Sequence, residues 1–436
     1  MSLTRPLTRS LTRALSNSEL TQKLGGGFSI FALNPYLLFD ARDSMIGTLE
    51  NPTLDLDPSK PDSLNVITAT RAGVATFTDV NGLIASAPAN TVRVDHSLGY
   101  PAILVEPSAT NLVPYSEDFS NLAWGKTGVS ITDNAATAPN GSVTASKMTV
   151  DSSSLFHFID DFITLGAEPY SFSCYLKADT ANTASFFFTQ SGNNGVLFDL
   201  QAGSVISVSG TGNTASIDDV GNGWFRCVVK NNGSADVFDG VRIGVANGAL
   251  GSFQGNGTDS IYLWGAQLET GSVATSLIPT SGSTVTRAAD DLEITGSAFS
   301  DFYNASEGTV YVEAVPSTSE NYPHYASFNA GNASNRLGAY IESNSFHTYH
   351  CFSGGVQQAA SRIGAPQFNE LNRVSFSYRQ NDMVGSANGG AEVSDTSCLM
   401  PLGNSKLTLG ARAGNLFHLN GHIKRLIYWP YHSDSL

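Results

Sequence analysis

The chain contains many carboxylates and hydroxyl groups, but their spacing matches none of the common catalytic motifs. Cleavage of a glycosidic bond needs two carboxylates on either side of that bond. A strand can present them as E-x-D-x-x-E, yet Glu342 is followed by Ser-Asn-Ser. The chain also lacks a G-x-S-x-G elbow, an H-E-x-x-H pair and a Walker loop. We therefore expect no catalytic residue, no enzymatic activity and no cofactor.

Two histidines lie close together in the sequence, in the phrase FHTYH. His347 and His350 are three residues apart, a spacing at which both rings reach one metal ion only on a helix. The surrounding residues alternate as in a strand, which places the two rings on opposite faces of a sheet. We expect no metal site here.

The four cysteines show no spacing typical of a zinc site. Cys174 and Cys227 each alternate with apolar residues along strand-like runs. This pattern is typical of small buried side chains. We predict free thiols in the core.

Composition and charge narrow the range of partners. Of 436 residues, 41% are hydrophobic and only 14% are charged, against about 25% in an average globular protein. The net charge of −15 disfavours binding to phosphate backbones and to anionic membranes. There is no apolar run long enough to span a bilayer and no secretion signal is expected. We expect no nucleic acid and no membrane insertion.

The first 26 residues differ from the rest of the chain because they are basic and periodic. Leucines and arginines each recur every four residues, which gives two stripes on a helix. The residues concerned are Leu3, Arg5, Leu7, Arg9, Leu11 and Arg13. We predict a short helical N-terminal anchor that docks on a larger particle. A disordered tail and a membrane-surface helix remain as alternatives.

Residues 27–110 are predicted to form a linker and a small β collar. An apolar run spans residues 28–39, and short alternating runs follow between residues 66 and 110. Asn81-Gly82 separates two of these runs and is typical of a type I′ hairpin turn. We expect the collar to be continuous with the domain that follows it.

Residues 111–290 contain short strand-like runs separated by turn signals, which indicates a β-sandwich. Ordered phrases stand at both ends of this stretch and near its middle. They read NLVPYSEDFSNLAW, DVGNGWFRC and WGAQLETGSVATSLIPT. Together they resemble a carbohydrate-binding-like jelly-roll module of bacteriophage tail and head-fibre proteins. We expect the opening and closing phrases to lie at the same edge of the sandwich.

Residues 291–436 begin again with a clean strand, EGTVYVEAVP. The later phrases resemble a laminin-G or concanavalin-A-like jelly roll over about 130 residues. Asn388-Gly389 matches that fold's central hairpin, and Gly421, Ile423 and Tyr428 match its final strand pair. These motifs are structural, so they imply a fold and no chemistry.

These features together predict an all-β protein with two tandem jelly-roll β-sandwiches, after the helical anchor and the collar. The resemblance implies a non-enzymatic virion fibre or spike that binds host surface glycans and attaches to other virion proteins. A glycan depolymerase subunit and a purely structural decoration protein remain as alternatives. A homotrimer is expected because the apolar run and the collar need partners, with a monomer as the alternative.

Glycan binding requires an aromatic ring that stacks on a sugar and polar groups that bind its hydroxyls. In the middle module we expect Trp224 and Trp264 to pack in the interior. Trp124 is the preferred ring, flanked by Asn121 and Lys126. In the last module the candidates are Tyr349, Phe352 and Arg362.

Overall fold

The computed structural model describes residues 49–189, 195–233, 239–318, 320–343 and 345–436. The predicted anchor at residues 1–26 and the apolar run at 28–39 lie outside these ranges. The described helices are a 3-10 helix, Pro61–Leu64, and one short α-helix, α1 (Gly296–Ser300). Neither has the length and apolar character that crossing a bilayer requires.

Strands make up about half of the described chain and helices only a few residues, which confirms the predicted all-β class. The first group comprises β1 (Leu54–Leu56), β2 (Thr68–Thr70), β3 (Ala75–Thr78), β4 (Ile84–Ala87), β5 (Val94–Asp95), β6 (Ala102–Val105) and β7 (Ala109–Asn111). The second group comprises β8 (Gly125–Thr127), β9 (Val129–Thr137), β10 (Val143–Val150), β11 (Ser154–Leu155), β12 (His157–Asp161), β13 (Tyr170–Ala178), β14 (Thr183–Phe188), β15 (Gly195–Asp199), β16 (Ser204–Val208), β17 (Asn213–Asp219), β18 (Trp224–Asn231), β19 (Val241–Val245), β20 (Phe253–Gln254), β21 (Ser260–Thr270) and β22 (Val285–Arg287). The last group comprises β23 (Asp291–Thr295), β24 (Glu307–Pro316), β25 (His324–Asn329), β26 (Arg336–Ile341), β27 (His347–Ser353), β28 (Val356–Gly364), β29 (Asn372–Arg379), β30 (Asp382–Ala387), β31 (Val393–Asp395), β32 (Lys406–Leu409) and β33 (Gly421–Trp429).

Two antiparallel sheets form the C-terminal sandwich. Sheet A has the order β31-β30-β29-β24-β33-β6-β5, with β1 also paired to β33. Sheet B has the order β2-β23-β32-β25-β26-β27-β28. Their inner faces bury one continuous apolar core that includes Leu56, Ile103, Phe328, Phe376 and Leu426.

Two six-stranded sheets form the middle sandwich. Sheet C has the order β17-β18-β13-β21-β10-β9, and sheet D has the order β16-β15-β14-β19-β12-β8. Phe172 of sheet C meets Phe186 of sheet D in the core, with ring centroids 5.1 Å apart. Cys174 and Cys227 are buried free thiols, as are Cys351 and Cys398, which confirms the prediction for the cysteines.

The chain enters and leaves the middle sandwich side by side. Residues Ala109 to Asn111 of β7 pair with Arg287 to Val285 of β22. The entering and leaving strands therefore pair as predicted, but they form a separate two-stranded sheet and not an edge of sheet C or sheet D. The side chain of Asn111 explains why they stay together: its amide group donates to the carbonyls of Ala266 and Ile278, 3.1 and 2.9 Å away.

The strands predicted as a collar differ from expectation in where they pair. β6 pairs with β33 and β2 pairs with β23, so both strands belong to the sheets of the C-terminal sandwich. Only the β3-β4 hairpin turns toward the middle sandwich, where Thr76 donates to the carbonyl of Leu277 at 2.6 Å. The sequence did not indicate this because short strands carry no information on distant partners.

Two details of turn and strand pairing also differ. The β3-β4 hairpin exists, but of Asn81 and Gly82 only Gly82 has a positive φ, so its turn is not the predicted type I′. β33 carries the matched residues Gly421, Ile423 and Tyr428, but it pairs with β24 in sheet A, whereas the preceding strand, β32, lies in sheet B. The two therefore do not form a pair.

A buried ionic cluster connects the segment that leads into the middle sandwich with the segment that leads out of it. It consists of Arg71, Arg93, Glu106, Arg287 and Asp290, each at most 4% exposed. Arg71 contacts Asp290 at 2.8 Å, and Arg93 contacts Glu106 at 2.7 Å and also pairs with Asp290. The middle sandwich contributes a backbone N–H and a hydroxyl, since Ser276 donates both to Glu106 at 2.6 and 2.7 Å.

The cluster keeps its charges despite burial. Burial alone raises the pKa of Glu106, but Arg287 and Arg93 lower it well below its usual range. Burial alone lowers the pKa of Arg93, but Glu106 and Asp290 raise it. Removing one partner therefore leaves an uncompensated charge inside the protein.

We expect Asp290→Asn to lower the free energy of unfolding by about 3–5 kcal/mol, because Arg71 and Arg93 both lose a buried carboxylate. Urea denaturation followed by tryptophan fluorescence measures this change. The matched control is Asp382→Asn, whose carboxylate contacts the exposed Arg379 at 2.7 Å, and which should cost at most about 1 kcal/mol. Equal effects of the two substitutions would contradict a structural role for the cluster.

Candidate functional site

The residue preferred from the sequence, Trp124, is a core residue. It is 1% exposed, its ring lies 5.3 Å from Phe119 between centroids, and its Nε1–H donates to the carbonyl of Tyr115 at 2.9 Å. No face of the ring is open to a sugar, so the structure corrects this assignment. The neighbouring Lys126 donates to the carbonyls of Asn121 and Trp124 at 2.7 and 2.8 Å, which closes the loop around the ring.

The other two tryptophans of the phrases that carry the resemblance are also buried and hydrogen-bonded. Trp264 is 1% exposed and its Nε1–H donates to Glu117 at 2.9 Å. Trp224 is equally buried and donates to the carbonyl of Thr137 at 3.0 Å, as expected for interior packing. The phrases that carry the family resemblance therefore hold the sandwich together and present no aromatic ring to solvent through these tryptophans.

The three candidates in the C-terminal sandwich lie on different faces of sheet B: one faces the core and two face outward. Tyr349 is fully buried and its hydroxyl lies 3.3 Å from the carbonyl of Met383, between the sheets, so it is corrected to a core residue. Arg362 is exposed on the outer face of sheet B and pairs with Glu342 at 2.8 Å. Phe352 is half-buried on the same outer face, next to a group of residues that the sequence did not single out.

These residues form what we call the basic aromatic pocket, on the outer face of sheet B. Strand alternation produces it: Leu337, Ala339 and Ile341 of β26 enter the core, so Arg336 and Tyr340 point outward. It contains His324, Arg336, Tyr340, His350, Phe352, Arg412 and Phe417.

The register places the pocket residues next to one another. Tyr340 pairs with His324 across one strand boundary, and Arg336 pairs with Phe352 across the next. The rings of His324 and Tyr340 stack at 5.1 Å with an angle of 19° between their planes, and the ring of His350 lies 5.4 and 5.2 Å from these two. The result is a continuous patch of ring faces and edges.

The floor of the pocket is buried and its rim is half exposed. His350 is 1% exposed and His324 is 4% exposed, whereas Tyr340, Phe352, Arg412 and Phe417 are half-buried. The Arg336 guanidinium lies 3.7 Å from the centroid of the Phe352 ring, and the Arg412 guanidinium lies 4.2 Å from that of Phe417. Such cation–π contacts hold the two charged groups at the rim.

Several buried polar atoms in this pocket have no hydrogen-bond partner among the described residues. They are both ring nitrogens of His350, Oγ of Ser327, and Nε of Arg336 and of Arg412. Buried polar groups are almost always paired in proteins, because leaving one unpaired costs about 1–3 kcal/mol. Unpaired Nε atoms also occur at Arg71, Arg93 and Arg287 of the ionic cluster, so it is the His350 nitrogens and the Ser327 hydroxyl that indicate a place where a polar ligand or water supplies missing partners.

The charge of the pocket comes from its arginines. Burial lowers the pKa of His324 to about 3, and burial together with the neighbouring positive groups lowers that of His350 well below its ordinary value. Both rings are therefore neutral at pH 7. Burial and the proximity of Arg412 lower the pKa of Arg336 to about 10, so its guanidinium remains charged.

The backbone at the pocket rim is strained. Tyr322 and Phe417 have φ angles of 51° and 59°, in the left-handed region that bulky residues rarely adopt. They are the two aromatic residues with a positive φ in the described chain, and their ring centroids lie 6.2 Å apart. Such strain is typical of binding and catalytic sites.

Two other places in the described chain have some features of a binding site. A cleft of about 300 Å³ lies between the β3-β4 hairpin and residues 277–287, but its one charged residue, Arg287, already belongs to the buried ionic cluster. Asp382, His432 and Asp434 are close enough to hold a metal ion, yet Arg379 donates to both carboxylates at 2.7 and 3.1 Å. His347 faces the interior, where it contacts the Tyr325 hydroxyl at 2.9 Å, so it cannot share a metal with His350.

Comparisons with known proteins find solved structures that are similar to about a third of this chain. No family model matches this chain, and no curated protein matches it significantly. Similar solved structures include the CBM40 domain of the Ruminococcus gnavus IT-sialidase bound to alpha2,3 sialyllactose, at 17% identity over 30% of this chain and 80% of that one, with a TM-score of 0.27. They also include galectin LEC-6 of Caenorhabditis elegans, at 13% identity over 31% of this chain and 89% of that one, with a TM-score of 0.23.

The NanB sialidase of Streptococcus pneumoniae, in a mutant form, is a third similar structure. It is 16% identical over 33% of this chain, with a TM-score of 0.28. The similarity spans only 25% of the sialidase chain. All three are proteins whose names refer to sugar binding or sugar cleavage, but TM-scores this low assign no ligand to this chain.

Trp124→Ala should lower the free energy of unfolding by about 3–5 kcal/mol, because it removes a buried aromatic side chain from the core. Chemical denaturation of the full chain measures the loss. The matched control is Leu122→Ala in the same loop: Leu122 is 97% exposed and its truncation should change stability by less than about 0.5 kcal/mol. If Trp124→Ala left the free energy of unfolding unchanged, the burial of this ring would be contradicted and Trp124 would again be a candidate for sugar binding.

Proposed function

We propose that the protein is a non-enzymatic glycan-binding protein and that the basic aromatic pocket of the C-terminal sandwich holds the sugar. The observation that carries this proposal is the group of half-exposed rings, Tyr340, Phe352 and Phe417, which surround a histidine whose ring nitrogens have no partner among the described residues. Sugars present apolar C–H faces to aromatic rings and hydroxyl groups to polar atoms. A pocket that combines both kinds of surface suits such a ligand.

Each part of the pocket has a role in this proposal. Tyr340 and Phe352 offer half-exposed rings for stacking, and His324 offers a neutral nitrogen for a hydroxyl group. The Nδ1–H of His324 donates to the carbonyl of Tyr322 at 2.7 Å, which leaves its Nε2 as an acceptor. Nothing in this set is arranged as an acid and base pair, which favours binding over cleavage.

The wider role that we propose is that of a bacteriophage virion fibre or spike. What supports it is the resemblance of the phrases at residues 111–124, 219–227 and 264–280 to phage fibre modules. In this role the N-terminal residues 1–26 attach the chain to other virion proteins, and the chain acts as a homotrimer. Several weak sugar sites on one fibre then bind a cell surface together more tightly than any single site.

Tyr340→Ala should weaken binding to a glycan identified on a glycan array by roughly fivefold per site, since stacking on a ring contributes about 1 kcal/mol. Isothermal titration of the full chain with that glycan measures the affinity. Tyr262→Ala is the matched control, because Tyr262 is a half-buried tyrosine on the outer side of the middle sandwich, beside Lys147. If Tyr262→Ala abolished binding and Tyr340→Ala did not, the site would lie in the middle sandwich and the proposal for the pocket would be wrong.

A further inference from the structure

The pocket contains two positive charges that no acidic residue balances. The chain as a whole has 38 acidic and 23 basic residues, and its arginines elsewhere commonly pair with carboxylates. Arg362 pairs with Glu342, and Arg425 pairs with Asp55. Within the described residues, Arg336 and Arg412 form no ion pair, although Arg412 is near enough to lower the pKa of Arg336.

Each of the two guanidinium groups also has one buried nitrogen without a hydrogen-bond partner among the described residues. Arg336 donates to the carbonyl of Ala333, but its Nε has no partner there. The same holds for the Nε of Arg412. Leaving such an N–H donor unsatisfied in a partly buried position opposes folding. A bound anionic group would satisfy both side chains at once.

The geometry of a guanidinium selects the kind of anion. Its planar fork forms two parallel hydrogen bonds with a carboxylate, and such charge-assisted pairs are stronger than neutral ones. The neighbouring histidines are neutral, so they add hydrogen-bonding atoms without adding charge. The aromatic rings beside each arginine, Phe352 and Phe417, supply the apolar contact that a sugar ring needs.

We propose that the pocket binds an acidic saccharide and that Arg336 and Arg412 hold the carboxylate of the sugar. This inference rests on the proposed glycan-binding function and names the class of sugar. Neutral glycans lack the group that the two arginines require. They should therefore bind much more weakly than carboxylated glycans of the same size.

The test uses matched ligands with the full chain. Oligosaccharides that end in glucuronate or in N-acetylneuraminate are compared with the same compounds after reduction of the carboxyl group to an alcohol, and with a sulfated oligosaccharide. We expect reduction to weaken binding by roughly tenfold or more, as the loss of charge-assisted hydrogen bonds implies. Stronger binding of the sulfated compound than of both carboxylates would overturn the choice of a carboxylate.

Substitutions then assign the effect to the arginines. Arg412→Gln should weaken binding of the carboxylated sugars by roughly tenfold and so remove most of the preference for them over the reduced sugars, whereas Arg412→Lys should retain part of that preference. Arg362→Gln is the matched control, because Arg362 lies on the same sheet face but already pairs with Glu342. It should preserve the full preference for the carboxylate.

The outcomes separate this inference from the proposed function. Equal binding of the carboxylated and reduced sugars, still weakened by Tyr340→Ala, would overturn the acidic class and leave the glycan site in place. Binding of no glycan at all, or binding that Tyr340→Ala leaves unchanged, would overturn the proposed function itself. If Arg412→Gln fails to fold, the comparison of carboxylated and reduced sugars on the unaltered protein still decides the question.

Discussion

The buried ionic cluster is the interaction on which the rest of the structure depends. Its members come from both sides of the middle sandwich in the sequence, Arg71 and Arg93 before it and Asp290 after it. β2 ends just before Arg71, and β23 begins just after Asp290. Because these two strands pair at one edge of sheet B, the cluster fixes the point from which that sheet is built. It also attaches the middle sandwich, because the backbone N–H of Ser276 donates a hydrogen bond to Glu106.

Sheet B then carries the proposed binding pocket on its outer face at little cost to the core. Its inner face is apolar and continuous with sheet A, so stability comes from residues such as Leu337 and Phe328. The outer face does not pack against sheet A, and on that face β26 and β27 present Arg336, Tyr340 and His350. Polar atoms left without partners and strained aromatic residues at the rim oppose folding slightly. The apolar core and the ionic cluster offset this, which is the usual balance at functional sites.

The sequence predicted some features of this protein and missed others for identifiable reasons. Alternation and turn residues identified the strands, and buried positions such as Cys174 followed from the same pattern. The site was harder, because Trp124 lies in a phrase rich in turn residues although its ring enters the core beside Phe119. The strand alternation of residues 347–352 (HTYHCF) places Tyr349 on one face of the sheet and His350 and Phe352 on the other. It does not indicate which of the two faces packs in the core. Arg412 reaches the pocket from a loop, through contacts that no local pattern encodes.

The most direct test of the account is to locate the bound sugar on the protein. Glycans that bind on a glycan array, and that carry a diazirine group on the sugar ring, can be crosslinked by light to the full chain, and the labelled peptides can be identified by mass spectrometry. The account predicts crosslinks in residues 322–352 and 412–417, which surround the basic aromatic pocket. Crosslinks confined to the middle sandwich, between residues 111 and 290, would contradict it.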